Sequence, residues 1–285
     1  MNYRHGFHAG NVADVLKHVV LTALVDYLAL KPAGFCVLDI HAGRGRYALA
    51  GAEALRTREF NDGIARLWPH ADEAPPLTRR YIDLVRNFNR TQCGSEELVL
   101  YPGSPCLVRQ QLRAQDRLIA CELHPEEHAL LDAEFRGDRA VAVHARDGWE
   151  ALRALLPPRE KRGAVLIDPP YEPPLEEVER VLEGLRETRR RFPHGVVAVW
   201  YPIKDRAANL RLLRRVRALG LGEVLVAELC VWPDDTALRL NGSGMLVVNP
   251  PWQLDNALAV DLAWLWDKLS HERHGRHGVQ SLTTR

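Results

Sequence analysis

Gly163-Ala164-Val165-Leu166-Ile167-Asp168-Pro169-Pro170-Tyr171 is the stretch that decides the fold class. Its apolar run has no polar alternation, which marks a strand covered on both faces, and it stops at a carboxylate followed by two prolines. In a sheet of such strands, ligands collect where the strands end. The same four closing residues suit an amine substrate. The lone pair of an exocyclic amine is delocalised into its ring and must be localised before it can attack a methyl group. A carboxylate on Asp168 and the carbonyl of Pro169 would accept its two N–H groups, and the prolines fix that carbonyl because each locks φ near about −65° and offers no competing N–H. Tyr171 would supply a flat face for a base. The plainer alternative is a strand ending at a Pro-Pro turn, with Asp168 as turn former and Tyr171 as a core aromatic.

Outward from this stretch, similar apolar runs occur at 35–40, 118–121, 140–143, 196–199, 224–229 and 245–248. Helical patterns lie between most of them, as at 126–135, 149–155, 175–192 and 206–219. Strands alternating with helices predict a doubly wound α/β fold with a seven-stranded, mainly parallel sheet. The last two strands are joined by the loop 233–244, too short for a crossover helix, and should pair antiparallel. Residues 50–104 hold helix-like patterns, a break at Ala74-Pro75-Pro76 and many Arg, but no convincing buried strand. They read as an inserted helical subdomain. The core is then 1–49 and 105–269, with a helical motif over 1–20, and 270–285 is a polar tail for which a mobile terminus is the plain reading.

The chain has 285 residues, 46% of them apolar and 26% charged, enough to bury a full core. No run of about eighteen apolar residues is present and the N-terminus lacks the apolar stretch of a signal peptide, so a cytoplasmic protein without membrane contact is expected. Five scattered cysteines without a Cys-x-x-Cys pair argue against a disulfide framework. The net charge of +1 carries no nucleic-acid signal for the whole chain. Any such signal must be local. His5 and His8 have the spacing of two zinc ligands, but no third and fourth ligand accompanies them, and no metal is expected.

The strand ends assemble a cofactor site. After the first strand comes Asp39-Ile40-His41-Ala42-Gly43-Arg44-Gly45, whose glycines let the backbone approach a ligand; position 48 is Ala, so the longer dinucleotide fingerprint is absent. The acid that would take ribose hydroxyls normally follows about 20 residues later. Here it is Glu122, 77 residues after Gly45, a spacing that accommodates the insertion. Asp147-Gly148 ends the third strand, where it would hydrogen-bond an adenine amine or, equally, cap the next helix. No hydride site or phosphate and magnesium ligands accompany these residues. Ribose and adenine contacts with a pocket for an amino-acid half fit S-adenosylmethionine.

At the N-terminus, His8, Asn11, Asp14 and His18 fall at helical spacing and form either a face turned to a ligand or a solvated, capped helix. Tyr-Arg-His-x-Phe-His-Ala-Gly-Asn-x-Ala-Asp-Val-Leu-Lys-His at 3–18, Asp-x-His-Ala-Gly-x-Gly-Arg-Tyr at 39–47, Tyr-Pro-Gly-Ser-Pro at 101–105, Glu-Leu-His-Pro at 122–125 and Ile-Asp-Pro-Pro-Tyr-Glu at 167–172 together resemble the bacterial 23S ribosomal RNA adenine-N6 methyltransferases of the J type. Trp200-Tyr201-Pro202 and the stretch 243–252 extend the likeness to about residue 269. The resemblance implies a Rossmann-like class I methyltransferase core, S-adenosylmethionine as donor, 23S ribosomal RNA as partner and the adenine at position 2030 as target. It implies donor contacts at His18, His41, Ser104, Glu122, Asp147 and Gly148, with Lys17 nearby. Asp168 becomes the catalytic acceptor, Tyr3 meets the RNA, and a monomer is expected.

Ten Lys or Arg between 186 and 217, against Glu187 and Asp205, form the densest basic stretch. They would neutralise phosphates or stand on solvated helix faces beside the acidic stretch 172–183. Competing readings are DNA adenine-N6 or RNA guanine-N2 methylation, or a nucleic-acid-binding protein without catalysis.

Overall fold

The computed structural model describes residues 5–172, 174–233, 236 and 240–282. In chain order the elements are α1 (Val12–Ala29), β1 (Cys36–Asp39), β2 (Arg46–Ala48), α2 (Ala52–Thr57), α3 (Ile64–Leu67), α4 (Pro76–Cys93), β3 (Leu100–Pro102), α5 (Ser104–Arg109), β4 (Arg117–Glu122) and α6 (Pro125–Glu134). They continue with β5 (Val141–Ala145), α7 (Gly148–Leu155), β6 (Gly163–Ile167), α8 (Pro174–Arg191), β7 (Val196–Ile203), α9 (Arg206–Ala218), β8 (Val224–Cys230), β9 (Gly242–Val248), α10 (Leu254–Leu269) and β10 (Arg276–Ser281).

Each apolar run becomes a strand of one sheet, ordered β10-β8-β9-β7-β6-β1-β4-β5. The β1–β4, β1–β6, β4–β5 and β6–β7 pairs are parallel, and β9 runs antiparallel between β7 and β8. The lack of polar alternation has its cause in the two covering layers. Val37, Leu118 and Leu166 point into a layer containing α1, α4 and α10, while their neighbours Leu38, Ile119 and Val165 point into a layer containing α7, α8 and α9. Both sets of side chains are dry.

The sheet has an eighth strand. β10 comes from the segment read as a polar tail, and it pairs antiparallel with β8 from Arg276↔Cys230 to Ser281↔Leu225. A strand at the edge needs no apolar run, because backbone pairing on one side suffices and its side chains face solvent. Arg276 also reaches the carboxylate of Glu228.

The chain leaves the sheet after β1 and rejoins it at β4, and between them β2 and β3 pair antiparallel as a separate ladder. The residues between them lie mainly in α2, α3 and α4. α4 packs on α1 and α10 and is pinned where Asp261 accepts from the backbone N–H and hydroxyl of Thr78, both at 2.7 Å. The ladder matters for function. It delivers Gly103 to the loop after β1, where its N–H donates to the Gly45 carbonyl at 2.7 Å, and so sets Ser104 beside Asp39.

Candidate active site

β1 pairs with β4 on one side and β6 on the other, so the chain reverses its winding there and the loops above these strand ends part. A cleft opens to solvent at that point. Lys17, His41, Ser104, Glu122, Asp147, Gly148 and Asp168 all line it. Residues 17 and 168 meet although 151 positions separate them.

Glu122 ends β4 with its carboxylate held by the backbone. Gly43 N–H donates to Oε2 at 2.9 Å and His124 N–H to Oε1 at 2.7 Å, leaving the remaining lone pairs toward the cleft for hydroxyl donors. Gly43 adopts φ 62°, a left-handed turn that favours glycine and aims its N–H at Glu122. Asp147 is both a cap and a cleft residue. Its Oδ1 accepts from Trp149 N–H at 2.8 Å and Glu150 N–H at 3.2 Å, which opens α7. Gly148 is forced by packing, because a Cβ there would stand 2.1 Å from the Ile40 carbonyl oxygen. That closeness brings α7 against the end of β1.

Asp39 is fully buried beneath the cleft and accepts from the Ser104 hydroxyl at 2.6 Å. Burial raises its pKa to about 6, against the pull of that bond and of the His41 N–H. His41 is half-buried, and the desolvation of its ring lowers its pKa to about 4. Its Nδ1 lies 3.3 Å from the Asp168 N–H, so the neutral ring accepts at Nδ1 and carries its proton on Nε2. Asp168 therefore has its backbone anchored as well as its side chain.

Lys17 Nζ sits 2.6 Å from Asp168 Oδ2 and 2.8 Å from Asp14 Oδ1. Burial would lower the pKa of this ammonium, but the two carboxylates outweigh burial and hold it well above the usual lysine range. Asp14 in turn meets His5 Nε2 at 2.9 Å and accepts the Gly10 N–H at 2.9 Å. A line of charge thus runs from the N-terminal turn to the end of β6.

Two placements, Tyr171 and His18, differ from the sequence-based expectations. Tyr171 does not present a free face: its ring is buried edge-on to Trp200 with centroids 5.9 Å apart, and its hydroxyl donates to the Trp200 carbonyl at 3.0 Å. The cause is its left-handed backbone, φ 54°, which turns the side chain back under the sheet. Pro169 is buried and Pro170 lines the cleft, while the Pro169 carbonyl accepts no hydrogen bond among the described residues. His18 lies wholly inside, its Nδ1 2.7 Å from the Tyr101 hydroxyl, its Nε2 without a partner among the described residues and its ring outside the cleft lining. Tyr3 lies outside the described residues.

Tyr47, Trp149, Glu177 and Arg180 also line the cleft and were not singled out from sequence, and His5, noted only for its spacing from His8, lines it too. Asp14 and Lys17 had a usable signal, an acid and a base three positions apart in a helical segment. Arg180 had none, being one arginine in a charged helix. The two histidines spaced like zinc ligands face different carboxylates, His5 toward Asp14 and His8 toward Glu59. The basic stretch is largely engaged: Arg190 and Arg191 with Glu187, Arg215 with Glu179, and Arg211 3.8 Å from Asp205. That arrangement suits solvated helix faces.

The family model described as Ribosomal RNA large subunit methyltransferase D, RlmJ, matches residues 32–283. Ribosomal RNA large subunit methyltransferase J of Escherichia coli (strain K12) is 44% identical over 269 residues, which is 94% of each chain. The protein of the same description from Haemophilus influenzae is 40% identical over 283 residues, 99% of each chain. A crystal structure of a Legionella pneumophila protein, 33% identical, superposes with a TM-score of 0.85 over 97% of this chain and 98% of that one. No helix among the described residues is long and apolar enough to cross a membrane.

Proposed function

The chain belongs to the RlmJ family of ribosomal RNA large subunit methyltransferases, and on that premise we propose that it methylates the N6 amine of an adenine in 23S ribosomal RNA, using S-adenosylmethionine. The observation that carries this reading is Asp168, at the end of a central strand, facing the cleft with one oxygen held by Lys17 and its backbone held by His41. By family resemblance the target is the adenine at position 2030. The protein is proposed to act in the cytoplasm as a monomer.

The cleft fits the donor by the chemistry of its walls. Glu122 is fixed by two N–H groups as an acceptor of ribose hydroxyls, and Asp147 with the close-packed Gly148 stands where an adenine amine would be read. Ser104, His41 and Lys17 complete the proposed donor site, while His18 stands behind it against the Tyr101 hydroxyl. When bound, S-adenosylmethionine supplies an electrophilic methyl group on a sulfonium.

The protein's own residues prepare the amine. Lys17 anchors Asp168 Oδ2, which leaves Oδ1 to accept one N–H of the target, and the Pro169 carbonyl takes the second. Both interactions draw the lone pair of N6 out of conjugation and orient it. As positive charge develops on N6, the carboxylate stabilises it without reorganising, because Lys17 and His41 already fix its position. Tyr171 supports this by bracing Trp200 beneath the loop. Tyr3 is proposed to contact the RNA.

Single-turnover transfer of labelled methyl to a 23S fragment containing the target adenine tests the reading. Asp168→Asn is expected to slow transfer by about 10² to 10³ while S-adenosylhomocysteine still binds, since a charge needed mainly in the transition state is lost. Transfer at the wild-type rate would remove Asp168 from catalysis. Digestion of the product to nucleosides separates N6-methyladenosine from N2-methylguanosine, and labelling of DNA in place of RNA would overturn the substrate class. Binding without any transfer would leave only a nucleic-acid-binding protein.

A further inference from the structure

We propose that Arg180 closes over the adenine ring of the methyl donor and is a positioning residue of the donor site. The inference deepens the proposed function and rests on it. α8 is crowded with carboxylates, and most are already committed: Glu179 to Arg215, Glu183 to Arg153, Glu187 to Arg190 and Arg191. Arg180 has Glu176 and Glu177 on the turn before it and Glu183 on the turn after, the spacing at which helix ion pairs form, yet it forms none among the described residues. It lines the cleft instead, beside Asp147, Gly148 and Trp149.

Part of the wall that lines the cleft with Arg180 is braced by two contacts of Trp149. Glu177 accepts the Trp149 indole N–H at 3.2 Å, and the indole stands edge-on to His41 with centroids 5.3 Å apart. A purine read at its amine by Asp147 would lie against this wall with its outer face toward Arg180. A guanidinium stacks on such a face through its plane and its charge. An RNA phosphate is the poorer occupant, because in the groove that runs on from Arg180 the carboxylates Asp147, Glu150, Glu183 and Glu187 outnumber Arg153 and Arg180.

Calorimetry on the full chain, with S-adenosylhomocysteine and with methylthioadenosine, which lacks the amino-acid half, tests the proposal. Arg180→Ala is expected to weaken both ligands by the same factor, roughly 3- to 10-fold, with Arg180→Lys retaining part of the affinity. Turnover at saturating donor should fall by a smaller factor than donor affinity, and the salt dependence of RNA binding should stay unchanged. Arg180 is exposed, so an unaltered melting temperature confirms that the variant folds. Unchanged affinity for both ligands overturns the inference, as does a loss confined to S-adenosylhomocysteine, which would place Arg180 at the amino-acid end. A flatter salt slope for RNA would overturn it in favour of a phosphate partner. If the wild-type chain binds neither compound, the proposed function fails and takes the inference with it.

Discussion

Asp39 and His41 stand two residues apart and respond to burial in opposite directions. Burial raises the Asp39 carboxyl to about 6, so between about 4 and 6 the folded protein holds a proton that the unfolded chain has released. Its contribution is fully present below that window and is lost as pH rises through 6. Burial lowers His41 to about 4, so between about 6.5 and 4 the unfolded chain takes up a proton that the folded protein refuses. That contribution is present above 6.5 and lost as pH falls. The two slopes partly cancel. Asp39→Asn keeps an acceptor for the Ser104 hydroxyl but removes the titrating group, so relative to wild type the variant should gain stability as pH rises from 4 to 7, by on the order of 2 to 3 kcal/mol. Urea denaturation at pH 4, 5, 6 and 7 measures the difference. A gap that does not change with pH would mean that Asp39 is not shifted upward in the folded state.

β10 shows where an element escapes pattern reading. Its sequence, Arg276-His277-Gly278-Val279-Gln280-Ser281, has neither an apolar run nor strict alternation, and only its ladder with β8 makes it a strand. The interior strands were legible because both of their faces are buried and the residues had to be apolar. β2 and β3 were not, being three residues each and held by their partnership across the intervening helices. β10 also carries a charge into the sheet. Glu228 on β8 is nearly buried and takes both the Tyr201 hydroxyl, at 2.7 Å, and Arg276. Removing Arg276 would leave that carboxylate without its countercharge, so Arg276→Met should destabilise the protein by about 1 to 3 kcal/mol; the fuller cost of a broken buried pair is discounted because the arginine is partly exposed. Arg276→Lys should restore part of this. Urea melts of the variants give the answer, and a loss below about 0.5 kcal/mol would make the interaction an ordinary surface pair.

Across the whole molecule, the acids at the strand ends were readable because the fold repeats one geometry at each parallel strand: Asp39, Glu122, Asp147 and Asp168 each follow an apolar run. Which groups hold which acid was not, although the resemblance had put Lys17 and Ser104 at the site. Lys17 reaches Asp168 from a helix at the other end of the chain, and Ser104 reaches Asp39 only because β2 and β3 close the intervening segment. The same distinction between a charge and its surroundings governs the basic stretch. With a net charge of +1, RNA affinity must come from a limited set of cations, and density along the sequence singles out 186–217. The structure assigns those cations other partners: Arg211 lies 3.8 Å from Asp205, Arg214 donates to the Leu210 carbonyl at 3.2 Å, and Arg215 ties α9 to Glu179 on α8. Replacing all three by Ala should therefore leave the slope of log RNA affinity against log salt unchanged. Stability should fall by about 1 kcal/mol or less, as expected for exposed pairs. Every arginine–phosphate pair removed from an RNA interface would lower that slope by roughly 0.7 to 0.9, so a drop of about 2 in the triple variant would assign α9 to the RNA interface and reverse this reading.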